Sequence, residues 1–421
     1  MPAATKLGYG GSGREGDRIP LVLRRLLRLL LFVAVGVVLL EGALRLVTPP
    51  PFNGFAVLTR SPKAKLYGWA WPPHFEMTLE NPDTREPYEV VTNGEGWKDV
   101  DHERDKPEGR LRILVLGDTA TFGSVPIEQL YTRRLEAILH ERGFPEVEVV
   151  TMAVGGWGTD QQLEVLTLEG IWYQPDLVIL QFSGNDLVNN ASPNGFIAED
   201  RLEWSKIFRY RPAGTVLERE ELVPREVRTS RERFDNVLSH TAIGTALAAI
   251  QRRYGPPGSS PPPPPLPGEA PTLDPGDPFF LYGTDDGSPD LRESWVLLEQ
   301  LLLEVASRSV AGGASFAVFS EEGDEGKRQH NLAIGRLRSN GKGGFFVGRD
   351  TIAVPVNWAR PLEKLREICK RNDLGLIEPK RTYTRFASDP APNPEGNEAM
   401  ALDIADSIEP WLRERSGRTG G

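Results

Sequence analysis

Hydroxyl, carboxylate and amide side chains gather with glycines in four short stretches of this 421-residue chain. They are Gly117-Asp118-Thr119-Ala120-Thr121-Phe122-Gly123, Ala153-Val154-Gly155-Gly156-Trp157-Gly158-Thr159-Asp160, Ser183-Gly184-Asn185-Asp186-Leu187, and Ser388-Asp389-Pro390-Ala391-Pro392-Asn393-Pro394-Glu395-Gly396. A hydroxyl attacks an electrophile only when a base takes its proton. Histidine, the usual base near neutral pH, is scarce: His74, His102, His140, His240 and His330 are the full set. Cys369 is the sole cysteine, so an intramolecular disulfide and a Cys-based zinc site are excluded. No His/Asp/Glu cluster has ligand spacing, so neither a metal nor another cofactor is expected. The net charge of −10 argues against a nucleic-acid partner, which calls for a basic surface.

The segments between these stretches predict how they are positioned. Ile113-Leu114-Val115-Leu116, Val147-Glu148-Val149-Val150, Leu177-Val178-Ile179-Leu180, Ala314 to Phe319 and Leu374-Gly375-Leu376-Ile377 read as strands. Between them come helical patterns: Ile127, Leu130, Tyr131, Leu135, Ile138 and Leu139; a helix opening at Thr159 with Thr159 and Gln162 as a capping box and Gly170 at its end; Trp295, Leu298, Leu302 and Val305; Leu362 to Lys370; and Met400, Ile404 and Ile408 behind an Asn393 cap and Pro394. This alternation predicts an α/β domain over 111–415, a flavodoxin-like parallel sheet with helices on both faces. In such sheets chemistry collects at the carboxyl ends of the strands, where the four stretches fall. The rhythm breaks in an irregular insert, 191–290, where Val237 to Ile250 reads as a helix and 255–277 as a Pro-rich linker. Residues 52–110 read as a β-rich lead-in.

The amino terminus predicts the compartment. Residues 1–20 read as a disordered tail, followed by Arg24, Arg25 and Arg28 and an apolar run from Leu29 to Leu40. A cleaved signal peptide and a buried soluble helix are alternatives. No small-x-small cleavage site follows, and a helix over Leu26 to Val47 reaches across a bilayer at about 1.5 Å per residue. One transmembrane anchor within 21–48 is therefore expected, with the arginine side cytoplasmic and the rest of the chain outside the cytoplasm.

Taken together, the four stretches resemble the blocks of the SGNH (GDSL-like) hydrolase family, over roughly 85–190 and 290–415. Thr92-Asn93-Gly94-Glu95-Gly96-Trp97 is similar to a lead-in stretch of its membrane-anchored members. The resemblance implies that Gly156 and Asn185 would be the oxyanion donors and Asp389 the triad carboxylate. It also implies that Thr119 stands at the nucleophilic serine and Ala391 at the histidine. Ala391 cannot titrate, and losing triad members costs on the order of 10⁴–10⁶ in rate. The expected function is a membrane-anchored, SGNH-hydrolase-like protein, catalytically inactive, with a residual scaffold role or a pocket for an acyl-ester or carbohydrate ligand. The alternative is an active esterase or O-acyltransferase with Thr119 as nucleophile and an unrecognised base; of the histidines only His330, in a long polar segment, is placed to supply one, and Asp186 or Glu395 is a weaker candidate. Asp118 reads as a turn-stabilising carboxylate, Gly117 and Gly123 as turn glycines, and Trp157 as packing in preference to a sugar platform.

Overall fold

The computed structural model describes residues 21–47, 57–58, 61–191, 206–214, 216–222, 243, 282, 289–333, 337–339, 345–349 and 352–417. The chain divides into two compact units, residues 1–53 with 227–260, and residues 54–226 with 261–421. In the first, α1 (Leu21–Val47) is a 27-residue helix. Its Arg24–Leu44 stretch is long and apolar enough to cross a membrane, and Leu29, Phe32 and Val38 are exposed on it. The expected helix over 237–250 and the Pro-rich linker lie outside the described residues.

The second unit opens with α2 (Ala64–Tyr67) and the antiparallel pair β1 (Glu76–Glu80) and β2 (Pro87–Val91). Then come β3 (Leu111–Gly117), α3 (Thr119–Phe122), α4 (Tyr131–Glu141), β4 (Val147–Ala153), α5 (Thr159–Leu168), β5 (Leu177–Phe182) and α6 (Asn185–Ala191). The insert supplies β6 (Phe208–Ala213) and β7 (Val216–Glu221). The chain continues through α7 (Pro289–Ala311), β8 (Ser315–Ser320), α8 (Glu325–Ala333), β9 (Arg338–Ser339), β10 (Phe345–Arg349), β11 (Ile352–Val356), α9 (Arg360–Arg371), β12 (Gly375–Ile377) and α10 (Pro394–Arg415).

Five strands form one parallel sheet in the order β12-β8-β5-β3-β4. Numbered along the chain this is 2-1-3-4-5, the flavodoxin-like order expected. The strands are continuous apolar runs because both faces are covered. Leu114, Leu116, Val178 and Leu180 pack with Leu163, Leu166, Leu298 and Leu302 of α5 and α7. Their neighbours Ile113, Val115, Leu177 and Ile179 point the other way, against Leu135, Ile138, Met400 and Ile404 of α4 and α10. Each such side chain removed from water contributes about 1.5–3 kcal/mol.

The edge strand β4 is blocked by side chains. Glu136 Oε2 accepts the Val149 N–H at 2.7 Å and Asp99 Oδ2 accepts that of Thr151 at 2.7 Å. Arg133 donates to the Val149 carbonyl, and His140 Nε2 donates to that of Val147 at 2.8 Å. An edge plugged in this way offers no free ladder to another chain.

Three local features differ from the sequence reading. The cap of α5 is Gly158, and Gln161 reaches back to its N–H at 3.2 Å, one residue from the Thr159–Gln162 pair. Gly170 opens a 3₁₀ turn, Gly170–Tyr173. The polar stretch after β8 contains α8 and a three-stranded antiparallel sheet, β11-β10-β9, which no periodicity announced. Within the insert, β6 and β7 form a hairpin seated on α5 and α7. Tyr210 and Arg219 bond Glu164 at 2.6 and 2.5 Å, Gln300 bonds the Gly214 carbonyl at 2.8 Å, and Lys206 lies just before the hairpin, 2.5 Å from Asp160.

Candidate active site

The first loop leaves β3 as a sharp turn. Gly117 admits no side chain, since a Cβ there would lie 2.0 Å from Thr121 Oγ1; close packing, in addition to turn geometry, requires the glycine. Asp118 caps α3, its Oδ1 accepting the Ala120 N–H at 3.1 Å. This leaves Thr119 exposed at the start of the turn. Beneath it, buried Lys98 donates to the carbonyls of Phe122, Gly123 and Val125 at 3.0, 3.1 and 2.7 Å. Burial pulls Lys98 down to about 7, yet three carbonyl acceptors match the three donors of an ammonium.

The second loop is clamped by the lead-in. Trp69 Nε1 donates to the Gly155 carbonyl at 3.0 Å, and Trp157 Nε1 donates back to the Trp69 carbonyl at 3.1 Å. Trp157 is fully buried, with Trp97 edge-on at 5.9 Å, so it packs and offers no sugar platform. Trp97 is held in turn by Asn93, whose Oδ1 accepts the Glu95 and Trp97 N–H groups at 3.0 and 2.9 Å. Gly156 has φ +79°, a conformation that favours glycine. Its carbonyl accepts from Asn189 Nδ2 at 3.0 Å and its N–H donates to Thr119 Oγ1 at 3.1 Å.

Thr119 and Gly156 thus meet. Asn185 is drawn to the same place, but its amide donates to Asp118 Oδ2 at 2.8 Å. Asp389 accepts the Ala391 N–H at 2.7 Å and lies 3.5 Å from Ser124 Oγ. Ala391 itself is buried in an apolar cluster with Val125, Leu130 and Phe386.

The histidines are placed elsewhere. Both ring nitrogens of His102 face carboxylates, Glu148 at 2.6 Å and Asp99 at 3.1 Å. Burial lowers its affinity for a proton, but those two hydrogen bonds outweigh it and raise His102 to about 9. His140 bonds the β4 edge, and His74 is exposed in the lead-in. His330 is buried on α8. Asp83 in the lead-in accepts the Ala387 and Ser388 N–H groups at 2.9 and 3.1 Å. His240 lies outside the described residues. Among the described residues, no imidazole or carboxylate accepts a hydrogen bond from the Thr119 hydroxyl. Among them too, no group of three or more His, Cys, Asp or Glu side chains is placed to hold a metal ion.

Lys98, Trp69, Glu321 and Arg385 line or brace this site and escaped the sequence reading, which placed Ser183 in the third stretch without giving it a role. Of the four, Lys98 alone had a signal, one residue after the lead-in Trp97.

The sheet order, with the four loops at its carboxyl edge, defines a flavodoxin-like α/β fold. Solved structures that match include the acetyl xylan esterase AlAXEase, at 11% identity over 71% of this chain and 100% of that one, TM-score 0.34. A lipase/acylhydrolase from Enterococcus faecalis matches at 12% identity over 72% and 96%, TM-score 0.34. A putative lipolytic protein of the G-D-S-L family from Desulfitobacterium hafniense matches at 9% over 71% and 99%, TM-score 0.31. At such identities and scores these likenesses say nothing of chemistry, and the fold stands on the strand order itself. No family model and no curated protein matches the chain.

Proposed function

We propose that this chain is a membrane-anchored, extracytoplasmic SGNH-hydrolase-like protein without ester-hydrolase activity, which keeps its strand-end loops as a scaffold or as a pocket for an acyl-ester or carbohydrate ligand. One observation supports the loss of activity above others: the Thr119 hydroxyl takes up the Gly156 N–H, while the position that would hold its base is Ala391, packed among Val125, Leu130 and Phe386. A backbone N–H used on the hydroxyl itself is not aimed at a developing oxyanion. General-base catalysis contributes on the order of 10²–10⁴, and a hydroxyl without it is a weak nucleophile. The apolar length of α1 and the arginines at its start support the anchor and its orientation.

The test is hydrolysis of a chromogenic short-chain ester by the purified full-length protein, beside labelling by a fluorophosphonate. Neither turnover nor label above the Thr119→Ala variant is expected. Turnover or label lost in Thr119→Ala would establish the esterase instead. Recovery in the membrane fraction, with the carboxyl terminus open to protease only from the outer side, is the expected result for the anchor.

A further inference from the structure

Behind the Thr119 turn, at the carboxyl ends of β3, β5 and β8, lies a buried polar cluster whose protons the functional reading above does not use. Ser183 Oγ sits between two carboxylates, 3.2 Å from Asp118 Oδ1 and 3.1 Å from Glu321 Oε1, and accepts the Gln181 Nε2–H at 2.7 Å. All four side chains are buried. A serine hydroxyl has one proton to give and two lone pairs. With both carboxylates ionised, that proton reaches only one of them, and the other faces a lone pair in a site where repulsion is poorly screened. A proton on Asp118 resolves the conflict. Asp118 then donates to Ser183, Ser183 donates to Glu321, and every hydrogen-bonding position of the hydroxyl is used.

Glu321 is not the proton carrier. Burial pushes it up, but Lys327 Nζ at 3.3 Å and Arg385 Nη2 at 2.9 Å outweigh burial and hold it at about 2. Among the described residues no cation pairs with Asp118. The charged and titratable groups that act on it are Glu321 from the end of β8, with Lys327 of α8 and Arg385 behind it, Asp186 of α6, and Tyr131 of α4. Asp186 is itself buried and raised, first by desolvation and then by Asp118; Asp160 and Lys206 lie beyond it. Burial raises Asp118 to about 6, with Glu321 adding to it, against the lowering effect of the Asn185 amide.

We propose that Asp118, Ser183 and Glu321 form a proton-sharing latch behind the Thr119 turn, in which neutral Asp118 holds the three strand ends together and ionised Asp118 loosens them. The latch goes beyond the functional reading and holds whether or not the chain hydrolyses esters. Because the folded chain binds this proton more tightly than the unfolded one, the contribution is full below the ordinary carboxyl value of 3.8 and is lost as pH rises through about 6.

The experiment is urea unfolding of the full-length protein in detergent, followed by tryptophan fluorescence between about pH 4.5 and pH 7.5, for wild type and Asp118→Asn. Asparagine mimics the neutral acid toward Ser183 and Asn185, and gives up only the acceptor for the Ala120 N–H, a loss that does not vary with pH. Across that range the unfolding constant of wild type relative to the variant should rise on the order of 30-fold. A ratio constant with pH overturns the proposal. Infrared spectroscopy of the wild type supplies a measurement that needs no folded variant: a neutral-acid C=O band should disappear with a midpoint near 6, and its absence throughout overturns the latch as well.

Discussion

Replacing His102 with glutamine tests whether this histidine braces the fold or serves chemistry. Its ring nitrogens both donate to carboxylates, Glu148 at 2.6 Å and Asp99 at 3.1 Å, and its side chain is only 5% exposed. The pair of bonds raises it from 6.5 to about 9 against the pull of burial. The folded chain holds the proton more tightly than the unfolded one, so the stabilisation is complete below 6.5 and lost as pH rises through about 9. At 1.36 kcal/mol per pKa unit this amounts to about 3 kcal/mol. Glutamine keeps one donor and cannot titrate. The stability gap between wild type and His102→Gln, read from denaturant unfolding by tryptophan fluorescence, should therefore contain a component of about 3 kcal/mol at pH 6 that declines above pH 6.5 and is nearly gone by about pH 9. A gap that stays constant over this range refutes the doubly bonded imidazolium. Ester turnover appearing or vanishing in the variant would refute the structural assignment from the other side.

Four further outcomes are expected. Lys206→Met strands Asp160, since the two groups pair at 2.5 Å with almost no exposure; unfolding should show a loss of about 3–5 kcal/mol, with early proteolytic cleavage in the β6–β7 hairpin. Trp69→Phe removes the indole donor to the Gly155 carbonyl and should cost about 1–3 kcal/mol, seen as a lower Tm. Ala391→His puts an imidazole into the cluster of Val125, Leu130 and Phe386 and should cost about 1–3 kcal/mol by overpacking. Combined with Thr119→Ser, the same change should raise short-chain ester hydrolysis over the parent by about 10² or more, and a double variant no faster than the parent would show that more than a base is missing.

Much of the architecture was legible before any coordinates. Uninterrupted apolar runs such as Ile113–Leu116 and Leu177–Leu180 mark strands covered on both faces, because nothing polar can stand on either side of them. Asn393 followed by Pro394 marked the start of α10, and Asn393 indeed accepts the Gly396 N–H at 2.9 Å. Such signals are local, set by backbone geometry within a few residues. The apolar character of α1 is equally local, being a property of composition and length. Thr119 and Ala391 are singled out by the resemblance of the four loops to the SGNH blocks.

What those side chains do depended on contacts far apart in the chain. Lys98 under the turn, Trp69 against Gly155, and Ser183 between Asp118 and Glu321 join residues separated by about 25 to 138 positions. No spacing rule connects such residues, since the parallel sheet brings strand ends together through crossovers of variable length. The three-stranded sheet from Arg338 to Val356 stayed hidden for the related reason that short antiparallel strands draw their stability from cross-strand partners more than from intrinsic preference. The chain determined which groups stand at the carboxyl edge of the sheet; only tertiary packing decided which of them share protons, because burial and partner distance set protonation and neither can be read from residue order.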